Sequence, residues 1–485
     1  MAIFQNFAML NNILEMSLFD SMRIPSKRLN QLIIILLIVI SAVFAGMLFG
    51  LEISWGFLFI VLSLFILVSI QILKNPLLGF AVLAFTIPFD SRGISTQIIT
   101  ISISNVILIS TIFSVIVHAL SDNERDWKFQ KWIPVIAGFY VISAFIAPLM
   151  TGQRISYVMT IIGCVAIYFI AITVITSSNK LFVIANVYLA SALLQAIIGI
   201  GEFSLFHLTG FKIGIEDAWL AGTYVPRALG THLDPNYHAL FMIPALAYAL
   251  SIVIFSAKRL LRFTMLCISM VIAFGILTSF SRTGWIVAVF AVAFLLLIGT
   301  ASKWRMLNKE IFRLFLVILV LGFALTIIVL PLINIQFIRS LVELNERSVL
   351  LRFSTYEEAV RLFRTSPLIG FGDTNLTRYF VHSTFLYIAL RAGLFGLLPF
   401  LVMVGYSVIG GISQIAGRGE NFSFRYHPGI VAFVVGAASF LIGSMIFGIE
   451  GHKMTWYVWG ISAAIVLNAQ KLWDKNNLDH EIKYS

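Results

Sequence analysis

Apolar runs of about 18 residues or more recur along the whole chain, broken by short polar stretches. They predict spans near 31–50, 54–73, 76–89, 98–119, 132–150, 155–176, 181–206, 237–256, 263–280, 284–299, 314–334, 383–411, 428–448 and 455–470. Each run is continuous in polarity, where the strands of a membrane barrel would alternate. Backbone in hydrocarbon must satisfy its own hydrogen bonds, so continuous runs of this length are helices. The expected fold is an all-α polytopic membrane protein with about 12–14 transmembrane helices. The 76–89 segment is short enough to be re-entrant instead. Two long interruptions, 335–382 and 207–236, stand out because loops of that size in a tight membrane protein carry function or disorder. The chain therefore divides into an N-terminal segment (1–30), a first group of helices (31–206), helices with an outer loop at 207–236 (207–334), a large loop (335–382), C-terminal helices (383–470) and a tail (471–485).

Composition sharpens this picture. The chain of 485 residues is 60% hydrophobic and 11% charged, with a mean hydropathy of +0.98, more apolar surface than a soluble domain can bury. No cleavable signal is expected, since MRIPSKR (22–28) precedes a full-length span. Cys164 and Cys267 both fall inside apolar runs, which reads as packing and gives no reason to expect a disulfide or a metal.

The net charge of +11 matters through its distribution. With the amino terminus in the cytoplasm, beside Arg23, Lys27 and Arg28, the lysines fall inside except Lys212 and Lys453. Both long loops then face outward, and 335–391 holds Arg339, Arg347, Arg352, Arg361, Arg364, Arg378 and Arg391. Outer loops normally run poor in basic residues. Arginine is always charged, and its planar fork matches phosphate and carboxylate oxygens. The pattern suggests a phosphorylated or acidic ligand bound from outside, with nucleic acid not expected. The plainer alternative, stronger for Arg347, Arg361 and Arg364, is pairing with the loop acids Glu343, Glu346, Glu357 and Glu358.

Four clusters carry candidate chemistry. In YVPRALGTHLDPNYHAL (224–240), Asp234 and Pro235 suit a helix start and Asn236 shares that structural explanation. Arg227, fixed by the preceding proline outside the helix, fits ligand contact better. TSFSRTGW (278–285) is a tight connection that sets Arg282 at the membrane surface, where snorkelling and a ligand role compete. LLRFSTYEEAVRLFRTSPLIGFGD (350–373) predicts an amphipathic helix over 348–365 with Leu351, Tyr356, Ala359, Val360 and Phe363 on its apolar side. Pro367 ends it, and Gly370 and Gly372 let the chain turn back toward the bilayer. Arg352 sits near the start of that helix, an unfavourable place for a cation in the helix dipole.

The fourth cluster is VHSTFLYIALRAGLFG (381–396). His382 precedes an apolar run of about 30 residues, roughly 45 Å as one helix, longer than the bilayer core of about 30 Å. Its head is expected to project into water, where the imidazole can act as a general base, although a cap is the commoner role of such a histidine. Arg391, nine residues on, faces the other side of the helix and marks a functional site or a buried pair.

The order of these clusters resembles the O-antigen ligase and polymerase superfamily of bacterial envelope glycosyltransferases: an outer loop with Arg, a Ser-Arg-x-Gly turn, then a large loop with an Arg-led helix, Pro-Leu-Ile-Gly-Phe-Gly and His-Ser-x-x-Leu…Gly-x-x-Gly. The likeness covers about 220–400. It implies a GT-C-like fold in the cytoplasmic (inner) membrane, with an extracytoplasmic active site. It also implies transfer of a glycan from undecaprenyl diphosphate to a glycan or glycolipid acceptor, without cofactor or metal, inverting the anomeric centre. By position, Arg227 and Arg282 look like the arginines that engage the diphosphate, and Arg352 like the arginine of the large-loop helix. His382 looks like the family histidine that takes the acceptor proton or orients the diphosphate. Asn236, Gly370, Gly372 and Arg391 stand as supporting residues, and a chain-length regulator or other assembly proteins are partners of the kind the resemblance allows. Arg391 departs from the pattern, since many relatives carry an acid there; Glu450 or the substrate is its expected partner. Two rivals come from other classes. A glycolipid transporter would place acids or histidines in mid-membrane, where Glu202 is the main exception to nearly charge-free spans, and a scaffold would tolerate loss of any single loop arginine.

Overall fold

The computed structural model describes residues 66–92, 94–95, 100–121, 132–151, 156–220, 223–256, 258–303, 347–372, 381–416 and 428–472. The expected spans at 31–50 and 314–334, and most of 54–73, lie outside them. By packing, the chain separates into two units, 1–83 with 104–128, and 84–103 with 129–485. In the first, Ser114 Oγ donates to the carbonyl of Leu73 at 3.1 Å, tying two helical segments together.

The second unit carries the long helices α3 (Trp132–Thr151), α4 (Ser156–Val174), α5 (Ser178–Thr209), α6 (Pro235–Phe255), α7 (Arg259–Thr278) and α8 (Arg282–Lys303). After them come α9 (Arg347–Phe363), α10 (Thr384–Ala416), α11 (Pro428–Ile446) and α12 (Lys453–Leu467); earlier in the chain are α1 (Pro76–Thr86) and α2 (Ile103–Ser121). Eight of these helices are long and apolar enough to cross a bilayer, which makes the chain a multi-pass, all-α membrane protein. The segment at 76–89 folds as the short α1 followed by a 3-10 turn.

Almost every residue of α6 is buried, because α5, α7, α8 and α11 all pack on it. Small residues permit that closeness: a Cβ on Gly436 of α11 would lie 3.0 Å from Cβ of Pro244 in α6. A second layer, α3, α4, α10 and α12, closes around Tyr140, Tyr168, Phe400, Trp456 and Trp459, all fully buried. Cys164 is buried in α4 and Cys267 faces outward from α7, both as free thiols.

Two features depart from the sequence reading. The 207–236 interruption is not simply a polar loop, because β1 (Ile215–Leu220) and β2 (Thr223–Ala228) pair there as an antiparallel hairpin with Glu216 opposite Arg227. Nor is the run after His382 one continuous 45 Å helix. Gly393 adopts φ 62° and ψ −161°, a conformation essentially reserved for glycine, and α10 breaks there. The break is filled by the segment that follows α9. Phe371 and Gly372 donate backbone N–H bonds to the carbonyls of Leu390 and Arg391 at 2.8 and 2.9 Å, and Leu394 and Phe395 donate to Pro367 and Leu368 at 2.8 and 3.1 Å. Gly370 and Gly372 both have φ of 76°, and a side chain on Gly370 would strike the backbone of Arg391 at 2.6 Å. These glycines stitch the loop to a broken helix.

A cationic pocket at one end of the bundle

The hairpin, the α7–α8 turn, α9 and the head of α10 meet at one end of the second unit. Asp234 caps α6 as expected, its carboxylate accepting from the Asn236 backbone N–H at 2.6 Å with Pro235 in the first turn. That cap also holds the Asn236 side chain, whose Nδ2 donates to the same oxygen at 2.8 Å. The Asn236 Oδ1 is left facing the α7–α8 turn, where it accepts from Ser281 Oγ at 2.7 Å and from Arg227 Nη2 at 3.4 Å. The turn is as tight as predicted. Phe280 takes a positive φ of 46°, Ser281 Oγ accepts from the Gly284 N–H at 2.9 Å, and a Cβ on Gly284 would be 2.4 Å from Ala239. Only glycine permits that contact with α6.

Arg227 is held from two sides, since its Nε also donates to the Ser279 carbonyl at 3.1 Å. Burial lowers its pKa; Glu216 and Asp234 oppose that shift, while the guanidiniums of Arg282 and Arg352 add to it. Three arginines from three separate elements thus share one field. Glu216, across the hairpin, is pushed up by burial and pulled down by Arg227. His382 stands beside them, with Arg352 acting on its ring and Tyr356 of α9 donating its hydroxyl to the His382 carbonyl at 2.6 Å. Burial first, then Arg352, lowers the imidazole to about 4, so it is neutral near pH 7. Its ring stacks on Phe447, centroids 5.7 Å apart, and Phe447 packs on Tyr237, whose hydroxyl reaches the Gly448 carbonyl at 3.0 Å.

Arg227, Asn236, Arg282, Arg352 and His382 are therefore brought together, while Gly370, Gly372 and Arg391 form the support behind them. The Arg391 guanidinium lies 4.0 Å from the Tyr387 ring centroid and 4.4 Å from that of Tyr157, two cation–π contacts on rings set nearly at right angles. It also acts on Glu450, a buried carboxyl raised to about 7 by burial, against which a hydrogen bond to its own backbone, Arg391 and Thr384 pull down. Glu202 proves structural: its carboxylate accepts from the Gly230 N–H at 2.7 Å while Gln195 accepts from Thr231, anchoring the hairpin's exit on α5. Arg361 and Arg364 are exposed, the helix predicted at 348–365 forms at Arg347–Phe363, and Val360 faces outward rather than inward. Arg339, Arg378, Glu343 and Glu346 lie outside the described residues. Sequence reasoning missed Tyr356, Tyr237, Phe447 and Glu216. The only available signal was the β-rich stretch IEDAWLAGTYVPRA, which marks a hairpin.

Fold and site define a multi-pass membrane protein with a cationic cluster where its connecting segments converge. Residues 267–401 match the model of the O-antigen ligase family, so the superfamily resemblance holds over a segment that includes Arg282, Arg352, Gly370, Gly372, His382 and Arg391. The match spans that segment alone, well under half of the chain. No curated protein matches the chain significantly. Among solved structures, a chain from work on polymerization and crosslinking by a peptidoglycan synthase complex is similar over 73% of this chain and all of its own length, at 14% identity and a TM-score of 0.37. That superposition is too loose to carry an argument.

Proposed function

We propose that the pocket binds the diphosphate of an undecaprenyl-linked glycan from the extracytoplasmic side and transfers the glycan to a sugar hydroxyl, as a polymerase or ligase of surface polysaccharide in the bacterial inner membrane. The observation that carries this is the convergence of Arg227, Arg282 and Arg352, from a hairpin, a turn and a loop helix, beside His382. The acceptor oxygen attacks the anomeric carbon opposite the diphosphate. The carbon–oxygen bond breaks with its electron pair leaving on the diphosphate, and the acceptor proton passes to the His382 ring or to water. Fixed guanidiniums stabilise the charge that builds on the leaving group, and they lose nothing to reorganisation. Such an attack inverts the anomeric centre.

The low pKa of His382 fits this order of events. Arg352 disfavours a positive charge on the ring. A bound diphosphate offsets that repulsion, raises the imidazole toward its ordinary value and makes it a better base only when the donor is in place.

The test is a reaction in liposomes with purified protein, an undecaprenyl-diphosphate repeat unit and EDTA, comparing wild type with Arg227→Ala and His382→Ala. A ladder of lengthening glycans, lost in both variants, supports a polymerase. Consumption of donor only after a separate glycolipid acceptor is added supports a ligase. Movement of glycolipid between leaflets without covalent change refutes the enzyme reading in favour of a transporter.

A further inference from the structure

We propose that Tyr356 is a positioning residue that fixes His382 relative to Arg352, so that the group facing the leaving diphosphate and the group facing the acceptor move as one body. The inference rests on the proposed reading of the pocket.

Tyr356 and Arg352 are four residues apart in α9 and so share one face of that helix. From that face the Tyr356 hydroxyl donates to the His382 carbonyl at 2.6 Å, a bond across 26 residues of chain. The ring itself is packed against the buried Ala359, Val381 and Leu390, with Leu386 and Tyr387 alongside. A phenylalanine would fill that space equally well, so packing alone gives the hydroxyl no purpose. What the hydroxyl adds is a directional tie to the backbone of the residue whose ring enters the pocket. Arg352 acts electrostatically on both partners of the tie. The second attachment of the loop, at 367–372, lies past the far end of α9. Without the Tyr356 bond, the contact of α9 with the head of α10 keeps its apolar packing but loses this directional tie, and Arg352 is freer to shift relative to His382. Arg352 of α9 acts on the ring electrostatically and the face of Phe447, from the segment after α11, stacks on it, while Tyr356 holds the carbonyl of the same residue.

Tyr356→Phe in the full-length protein, reconstituted in liposomes, tests this. The expected result is a fall in kcat of about tenfold, the worth of one net hydrogen bond, with KM for the lipid-linked donor within about twofold. Arg352 would also press less on His382, so the acid limb of the rate profile moves to higher pH. Wild-type kcat with an unshifted limb overturns the proposal. So does a lowered kcat that recovers fully at a lower assay temperature with an unshifted limb, because that is a packing role. Arg227→Ala and His382→Ala, run beside it, separate the two ideas. If both lose activity while Tyr356→Phe behaves as wild type, only the positioning role fails; if both remain active, the pocket is not the reaction site and the proposal falls with it.

Discussion

Replacing Gly393 by alanine should open the seam between the large loop and α10. The residue sits at φ 62° and ψ −161°, and a Cβ there would lie 2.2 Å from both the carbonyl carbon and oxygen of Leu368. Two responses compete. Keeping the seam costs about 1–3 kcal/mol of backbone strain, plus a contact that no side-chain rotation relieves because the neighbour is backbone. Giving up the seam forfeits four backbone hydrogen bonds, about 4 kcal/mol at about 1 kcal/mol each. The overlap is too severe to absorb, so the seam should open at a cost of about 4 kcal/mol, a large part of a typical domain's stability. The assay is limited trypsin digestion in nanodiscs, since Arg361 and Arg364 are exposed beside the seam. Cleavage there should accelerate strongly and transferase activity should fall with it. Gly138→Ala, where a Cβ meets nothing within 4 Å, is the control and should change neither. A Gly393→Ala protein as protease-resistant and active as wild type would refute the reasoning.

Further outcomes follow from the pocket and its supports. Arg227→Lys keeps a positive charge but loses the fork that reaches both Ser279 and Asn236, so turnover should drop by roughly 10²–10³ with normal expression, read in the liposome assay. Glu202→Ala removes the acceptor of the Gly230 N–H and should cost about 1–3 kcal/mol, seen as a lower unfolding temperature. Glu450 is an acid whose folded pKa, about 7, lies above its ordinary value, so the folded state holds the proton more tightly than the unfolded chain. Stability from this group is complete below about pH 4.5 and is lost as pH rises through about 7, a difference on the order of 3 kcal/mol at 1.36 kcal/mol per pKa unit. Glu450→Gln should flatten that slope in thermal unfolding scans between pH 5 and pH 8, and an unchanged slope would sink the assignment.

The all-α membrane architecture was legible because lipid leaves the backbone few options, and an apolar run of sufficient length has one solution. The arginines were legible as a group because seven of them crowd into 335–391, a stretch that interrupts the apolar pattern. Their convergence was not, since it depends on contacts such as Arg227 with Ser279 and Tyr356 with His382 that join positions remote from each other in the chain. The break in α10 escaped for a similar reason. Gly393 sits in an apolar stretch that reads as continuous helix, and what makes the break favourable is the arrival of 367–372 to supply partners for Leu390, Arg391, Leu394 and Phe395. Hydrophobic periodicity reports which face of an element meets lipid or core; it does not report which distant backbone completes a hydrogen bond. The same limit hid the setting of Arg391, whose tyrosine partners come from α4 and from one turn earlier in α10.

The most direct test of the central claim is release of free undecaprenyl diphosphate by the reconstituted protein, measured with EDTA present and with an acceptor supplied. The account predicts release in step with glycan transfer by wild type, and loss of both in Arg227→Ala, Arg282→Ala, Arg352→Ala and His382→Ala proteins of normal fold. Undiminished release by the arginine variants would contradict it.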